Sequence, residues 1–216
     1  MGYPLKRRQG VPTTYAVPIK RRKPRIDRLP GPTDKVQLEP TLDLEEYENI
    51  LDIMRNMVLV MERSPKAFEQ MGEEDLRTQF LVQLNGQYEG QATGETFNSE
   101  GKTDILIRQE NKNIFIAECK FWDGEKKYLE TIDQLLSYAG WRDTKTAILL
   151  FSRNVGFSAV LQSVAASTPT HPCFVRDLGK KNETEFRYIF RRPTDPSREL
   201  FLAVLVFDIP KPARAK

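Results

Sequence analysis

Apolar positions change period along this chain. From residue 43 to residue 64, Leu44, Tyr47, Ile50, Leu51, Met54, Val58 and Met61 recur every three or four places, the spacing of one helix face. Asp43 with Glu46 three residues on has the form of a capping box, and Ser64-Pro65 stops the run. The methionine-dotted stripe reads as core packing, with a partner or dimer surface as the alternative. A short helix is expected from Pro65 to Met71, broken by Gly72. Glu73 or Glu74 then opens a helix through Asn85 that buries Leu76, Phe80 and Leu84.

Beyond residue 90 the period shortens to that of strands. Gln91 to Asn98 reads as a first strand, turned at Ser99-Glu100-Gly101 into the run Lys102 to Arg108. The polar tetrad Gln109 to Lys112 suits a hairpin loop into Asn113 to Phe121. A helix is expected from about Lys126 to Trp141. Thr146 to Ser152 is a short apolar run of the kind found in a buried parallel strand, and Phe157 to Ser167 is a further helix. A strand near Cys173 follows. Phe186 to Arg191 and Glu199 to Phe207, separated by Pro193-Thr-Asp-Pro196, look like a hairpin extension.

Composition narrows the function classes. The 216 residues suffice for one substantial core. With 39% hydrophobic and 29% charged residues the chain suits a soluble globular protein, and no apolar run approaches the length that crosses a bilayer. The charged, proline-containing start does not read as a secretory signal. Cys119 and Cys173 are too few for a disulfide framework, which fits a reducing cytoplasm. His171, the one histidine, lies between Thr170 and Pro172 and reads as structural or exposed. A single imidazole argues against a zinc hydrolase, an HNH nuclease or a catalytic triad.

The net charge of +3 is unevenly spread. Lys6, Arg7, Arg8, Lys20, Arg21, Arg22, Lys23, Arg25, Arg28 and Lys35 face only Asp27 and Asp34 in the first 35 residues, so the rest is net acidic. Pro4, Pro12, Pro18, Pro24, Pro30 and Pro32 make that segment an extended or disordered arm. It reads as an arm on nucleic-acid phosphates, as a solvated linker, or as the join to an upstream domain. Four regions result: a basic arm over 1–40, a helical extension over 41–72, a main domain over 73–210 and a tail over 211–216.

Candidate chemistry concentrates between residues 101 and 120. In an extended strand Glu118 and Lys120 point to one side and Cys119 to the other. Asp104, across the hairpin, joins them, so two carboxylates and an ammonium converge at one sheet edge. Asp104 followed by Glu118-Cys119-Lys120 resembles the PD-(D/E)XK nuclease superfamily, although Thr103 stands where the pattern has proline. Gln134-Leu-Leu-Ser-Tyr138 resembles the QxxxY motif of its RecB-type branch. The likeness covers about residues 73 to 152.

That resemblance implies an α/β, restriction-endonuclease-like fold with an αβββαβ core and a mixed central sheet, preceded by helices and followed by an extra helix and hairpin. It also implies a Mg²⁺-dependent DNA endonuclease, with Mn²⁺ able to substitute, and a role in bacterial restriction or anti-phage defence. Asp104 and Glu118 would be metal ligands, joined by the Cys119 carbonyl and by Glu74, preferred over Glu73. Lys120 would act at the attacking water and phosphate, with Gln134 and Tyr138 in support. Hard oxygen ligands suit Mg²⁺, which offsets charge on a phosphoryl group. Glu95 reads as an auxiliary ligand or a surface residue. Phe121 and Trp122 read as base-stacking or packing groups, and Arg153 and Asn154 as phosphate contacts or solvated strand-end residues. The alternative is a catalytically silent module that binds nucleic acid or recruits a partner, with a homodimer or an upstream activating domain consistent with either.

Overall fold

The computed structural model describes residues 23, 25–27, 41–88, 92–93, 96–98, 101–109, 112–140 and 143–209. Most of the basic arm, the tail, Glu95 and the Ser99-Glu100 turn lie outside the described residues. Ile26–Asp27 (β1) pairs antiparallel with Thr41–Leu42 (β2) just ahead of a twenty-residue helix, Leu44–Arg63 (α1). Asp43 caps α1 by accepting a hydrogen bond from the Glu45 N–H at 3.1 Å. The other half of the expected capping box is missing. Glu46 turns into the fold, where its carboxylate accepts from the Tyr88 hydroxyl and from Asn49 Nδ2.

Pro65–Phe68 (α2) and Glu73–Gln87 (α3) follow. The strand expected over 91–98 is divided: Ala92–Thr93 (β3) pairs with Ile105–Gln109 (β6), whereas Thr96–Asn98 (β4) pairs with Gly101–Thr103 (β5) in a separate ribbon. Next come Lys112–Phe121 (β7), Glu125–Tyr138 (α4), Lys145–Ser152 (β8), Phe157–Ser167 (α5), Phe174–Asn182 (β9), Glu185–Arg192 (β10) and Asp195–Asp208 (β11).

Seven strands form one mixed sheet in the order β3-β6-β7-β8-β11-β10-β9, with β8 parallel to both β7 and β11 and the other pairs antiparallel. Between α3 and α4 run five strands: β3, β6 and β7 are antiparallel neighbours in this sheet and β4 and β5 form the separate ribbon, while β8 after α4 lies parallel to β7, so the chain is α/β with the expected mixed sheet. The last hairpin is no appendage. β11 lies beside β8, with Ala203 opposite Ala147 and Asp208 opposite Ser152. Its run of apolar residues from Leu202 to Phe207 is buried on both faces, as a central strand requires.

The period-two alternation divides the interior. Ile105, Ile107, Phe115, Ala117, Cys119, Leu149, Phe151 and Leu205 pack with the buried faces of α1 and α3. Leu106, Ile116, Ile148, Leu150, Val204 and Val206 pack with α4 and α5. Each such Leu, Ile or Phe contributes about 1.5–3 kcal/mol relative to remaining exposed. The α1 stripe is core, as its periodicity predicts; Met54 and Met61 are fully buried, and Leu44, 53% exposed, is the exception. Among the described residues no helix is long and apolar enough to cross a membrane.

Candidate active site

The register Ile105 opposite Ala117 sets Asp104 against Glu118 where β6 begins. Asp104 Oδ2 accepts a hydrogen bond from the Cys119 N–H at 2.9 Å, which fixes it to β7. Its Oδ1 accepts from Arg77 Nη1 at 3.1 Å, a pair in which the arginine side chain is 11% exposed. Glu118 is 0% exposed. Its Oε2 accepts from Gln134 Nε2 at 3.2 Å, and the same amide donates to the Tyr138 hydroxyl oxygen at 3.2 Å. The four-residue spacing of Gln134 and Tyr138 sets both on one face of α4. The two sequence motifs therefore meet through the Gln134 to Glu118 hydrogen bond.

Lys120, 37% exposed, donates from Nζ to Glu73 Oε1 at 2.8 Å, while Glu73 Oε2 accepts from the Phe121 N–H at 3.2 Å. Burial lowers the ammonium's affinity for its proton. The hydrogen bond and charge of Glu73, with the charges of Asp104 and Glu118, outweigh that and hold Lys120 above its ordinary 10.5. Cys119 is buried on the packed side of the strand, as expected. Its thiol is pushed well above its usual range by burial, then by Asp104, Glu118 and Glu73. The same three carboxylates act on both groups, so they converge on one strand end. That end opens on a cleft of about 410 Å³ lined by Glu73, Lys120, Phe121, Asp123, Lys127, Glu130, Thr131 and Gln134.

The structure brings Glu73, not the preferred Glu74, to Lys120. Glu74 is exposed, and its backbone carbonyl accepts from Thr78 Oγ1 at 2.8 Å. Helix geometry gives the reason. Glu73 lies three, four and seven residues before Leu76, Arg77 and Phe80 and so shares the face that meets the sheet, whereas Glu74 aligns with exposed Thr78. Arg77 went unnoticed in the sequence. Projecting the apolar face of α3 finds it one turn after Glu73.

Among the described residues no group of three or more His, Cys, Asp or Glu side chains stands close enough together to hold a metal ion. A ligand set with three carboxylates is therefore not assembled. The donors at Asp104, Glu118 and the Cys119 carbonyl are all hard oxygens, a chemistry that fits Mg²⁺, which is commonly held by one or two carboxylates and keeps several waters.

The other nominated residues have partners within the fold. Phe121 lies against Phe151 at 5.6 Å between ring centroids and beneath the Arg153 guanidinium at 4.2 Å, while Arg153 also donates to the Met71 carbonyl. Trp122 packs on Tyr128 at 6.1 Å. Asn154 donates its backbone N–H to the Ser152 hydroxyl. His171 is buried and structural, not exposed. Its Nδ1 accepts from the Cys173 N–H at 3.1 Å, which leaves Nε2 to donate to Asp133 Oδ1 at 3.0 Å.

No protein family, curated protein or solved structure matches this chain. The functional argument therefore rests on the residues and their geometry.

Proposed function

We propose that this protein is a metal-dependent DNA endonuclease. The supporting observation is the meeting of Asp104, Glu118 and Lys120 at one strand end beside an open cleft, with Gln134 hydrogen-bonded to Glu118. Hydrolysis breaks one P–O ester bond, delivering hydroxide to phosphorus and a proton to the leaving oxygen. Mg²⁺ held by Asp104, Glu118 and the Cys119 carbonyl would neutralise developing phosphoryl charge and acidify water. Lys120 would donate hydrogen bonds to the phosphate or orient the attacking water. Glu73 positions Lys120. Gln134 restrains Glu118, and Tyr138 restrains Gln134 in turn. DNA as substrate, a cytoplasmic setting, a homodimer and a restriction or anti-phage role belong to the same proposal, by analogy of motif.

The two ion pairs, Lys120 with Glu73 and Arg77 with Asp104, favour a second reading in which the domain is silent until a partner opens them. One assay separates the two. Purified protein is incubated with supercoiled plasmid, linear duplex and single-stranded DNA in Mg²⁺, Mn²⁺ or EDTA. Cleavage that requires metal supports the nuclease, and no cleavage by folded protein with any substrate supports the silent module.

A further inference from the structure

Both carboxylate oxygens of Asp104 are already engaged: Oδ2 by the Cys119 N–H and Oδ1 by the Arg77 guanidinium at 3.1 Å. We propose, resting on the nuclease reading, that Arg77 and the divalent cation exchange on Asp104, and that the displaced guanidinium then takes the substrate phosphate. Arg77 is held on α3, one turn from Glu73, so it stands between the helix and the acid that the motif assigns to metal. A hard cation sits about 2.0–2.1 Å from a carboxylate oxygen. Bound to Oδ1 it would be within a few ångströms of the guanidinium, and like charges at that range repel strongly where little water screens them. The guanidinium's planar fork matches phosphate geometry, which a point-charge lysine does not reproduce. Glu73 engages Lys120 and the Phe121 N–H, so the neighbouring acid on the same helix face is already occupied when Arg77 moves.

The exchange has a readout independent of cleavage. Mn²⁺ is titrated calorimetrically into the full chain, its Arg77→Gln and Arg77→Lys variants, Asp104→Asn, and Lys126→Gln as a control for loss of a surface charge outside the cleft lining. Arg77→Gln is expected to bind Mn²⁺ on the order of five- to tenfold more tightly, a typical coupling between competing ligands, with Lys126→Gln within about twofold of wild type. In Mn²⁺, with Lys120→Ala added to suppress cutting, Arg77→Gln should bind a labelled oligonucleotide on the order of five- to tenfold more weakly. If the glutamine variant does not fold, Arg77→Lys decides: Mn²⁺ affinity near wild type with weakened oligonucleotide binding supports the exchange, and unchanged oligonucleotide binding overturns it. Equal or weaker Mn²⁺ affinity in folded Arg77→Gln overturns it while leaving the metal site standing, provided Asp104→Asn abolishes binding. No Mn²⁺ binding by wild type overturns the metal reading and the exchange together.

Discussion

Two charged clusters join helices to the sheet, and they are built differently. The first ties α1 to β10. Arg187 pairs with Glu48 at 2.9 Å and with Glu185, Arg55 pairs with Glu185 and Asp52, and Lys181 reaches Glu48 at 3.6 Å. Each of these carboxylates faces a cation, and Glu185 is 1% exposed. Tyr47 is covered by the Arg187 guanidinium at 5.5 Å and donates to the Thr146 carbonyl, and burial holds its phenol well above the usual range. The second cluster, at the end of β7, includes a fully buried carboxylate, Glu118, hydrogen-bonded to the neutral amide of Gln134, and it borders the 410 Å³ cleft. Burial of charge alone does not mark a functional site. Ion pairs join helix to sheet in both clusters; what sets the second apart is a buried carboxylate, Glu118, held by the neutral Gln134 amide beside a cleft that Lys120, Glu73 and Gln134 line.

The largest expected effect falls on Lys120→Ala, which should lower metal-dependent cleavage by roughly 10²–10⁴-fold, the usual contribution of a positioned proton-transfer or donor group. Its thermal midpoint should stay near wild type, because Lys120 is partly exposed. Asp104→Ala is the poorer probe. It strands a buried arginine and the Cys119 N–H, so stability falls along with activity. Glu185→Ala leaves two arginines facing a lost acid and should cost about 3–5 kcal/mol, read by denaturant unfolding, with cleavage per folded molecule unchanged. Gln134→Ala should lower cleavage by about tenfold and destabilise by roughly 1–3 kcal/mol, because the buried Glu118 carboxylate loses a hydrogen bond.

Smaller effects sharpen the same contrast. Glu73→Gln should reduce cleavage several-fold, while Glu74→Gln should match wild type in a parallel rate assay; the reverse result would reinstate Glu74 at the site. The folded pKa of Lys120 is raised. Its stabilising contribution is thus fully present below the unfolded value and lost as pH rises through the folded one. Thermal unfolding of the metal-free protein should accordingly show no loss of this contribution below pH 10.5, the lysine's ordinary value. An activity rise at lower pH that disappears in Lys120→Arg would make lysine the base.

Much of this was legible in the sequence where one period dominates. The α1 stripe, the β7 run and the α5 segment each obey a single repeat, and their observed bounds follow it closely. The α/β class with a mixed sheet was legible for the same reason, whereas the separate β4–β5 ribbon was not. The place of β11 was not, because adjacency to β8 across intervening elements depends on tertiary packing and leaves no local signature. Glu73 could have been read from the helix face it shares with Leu76 and Phe80. Arg77 and the Arg187–Glu185 network were hidden for another reason: charged residues carry no period, and only the folded register reveals which acid each arginine meets.

The most direct test sets Lys120→Ala against Glu185→Ala, with plasmid cleavage and thermal unfolding measured on both. Near-complete loss of cleavage with an intact melt for Lys120→Ala, and a lowered melt with intact cleavage per folded molecule for Glu185→Ala, is the predicted outcome. Wild-type cleavage in a folded Lys120→Ala protein would contradict the assignment of the β7 cluster as the active site.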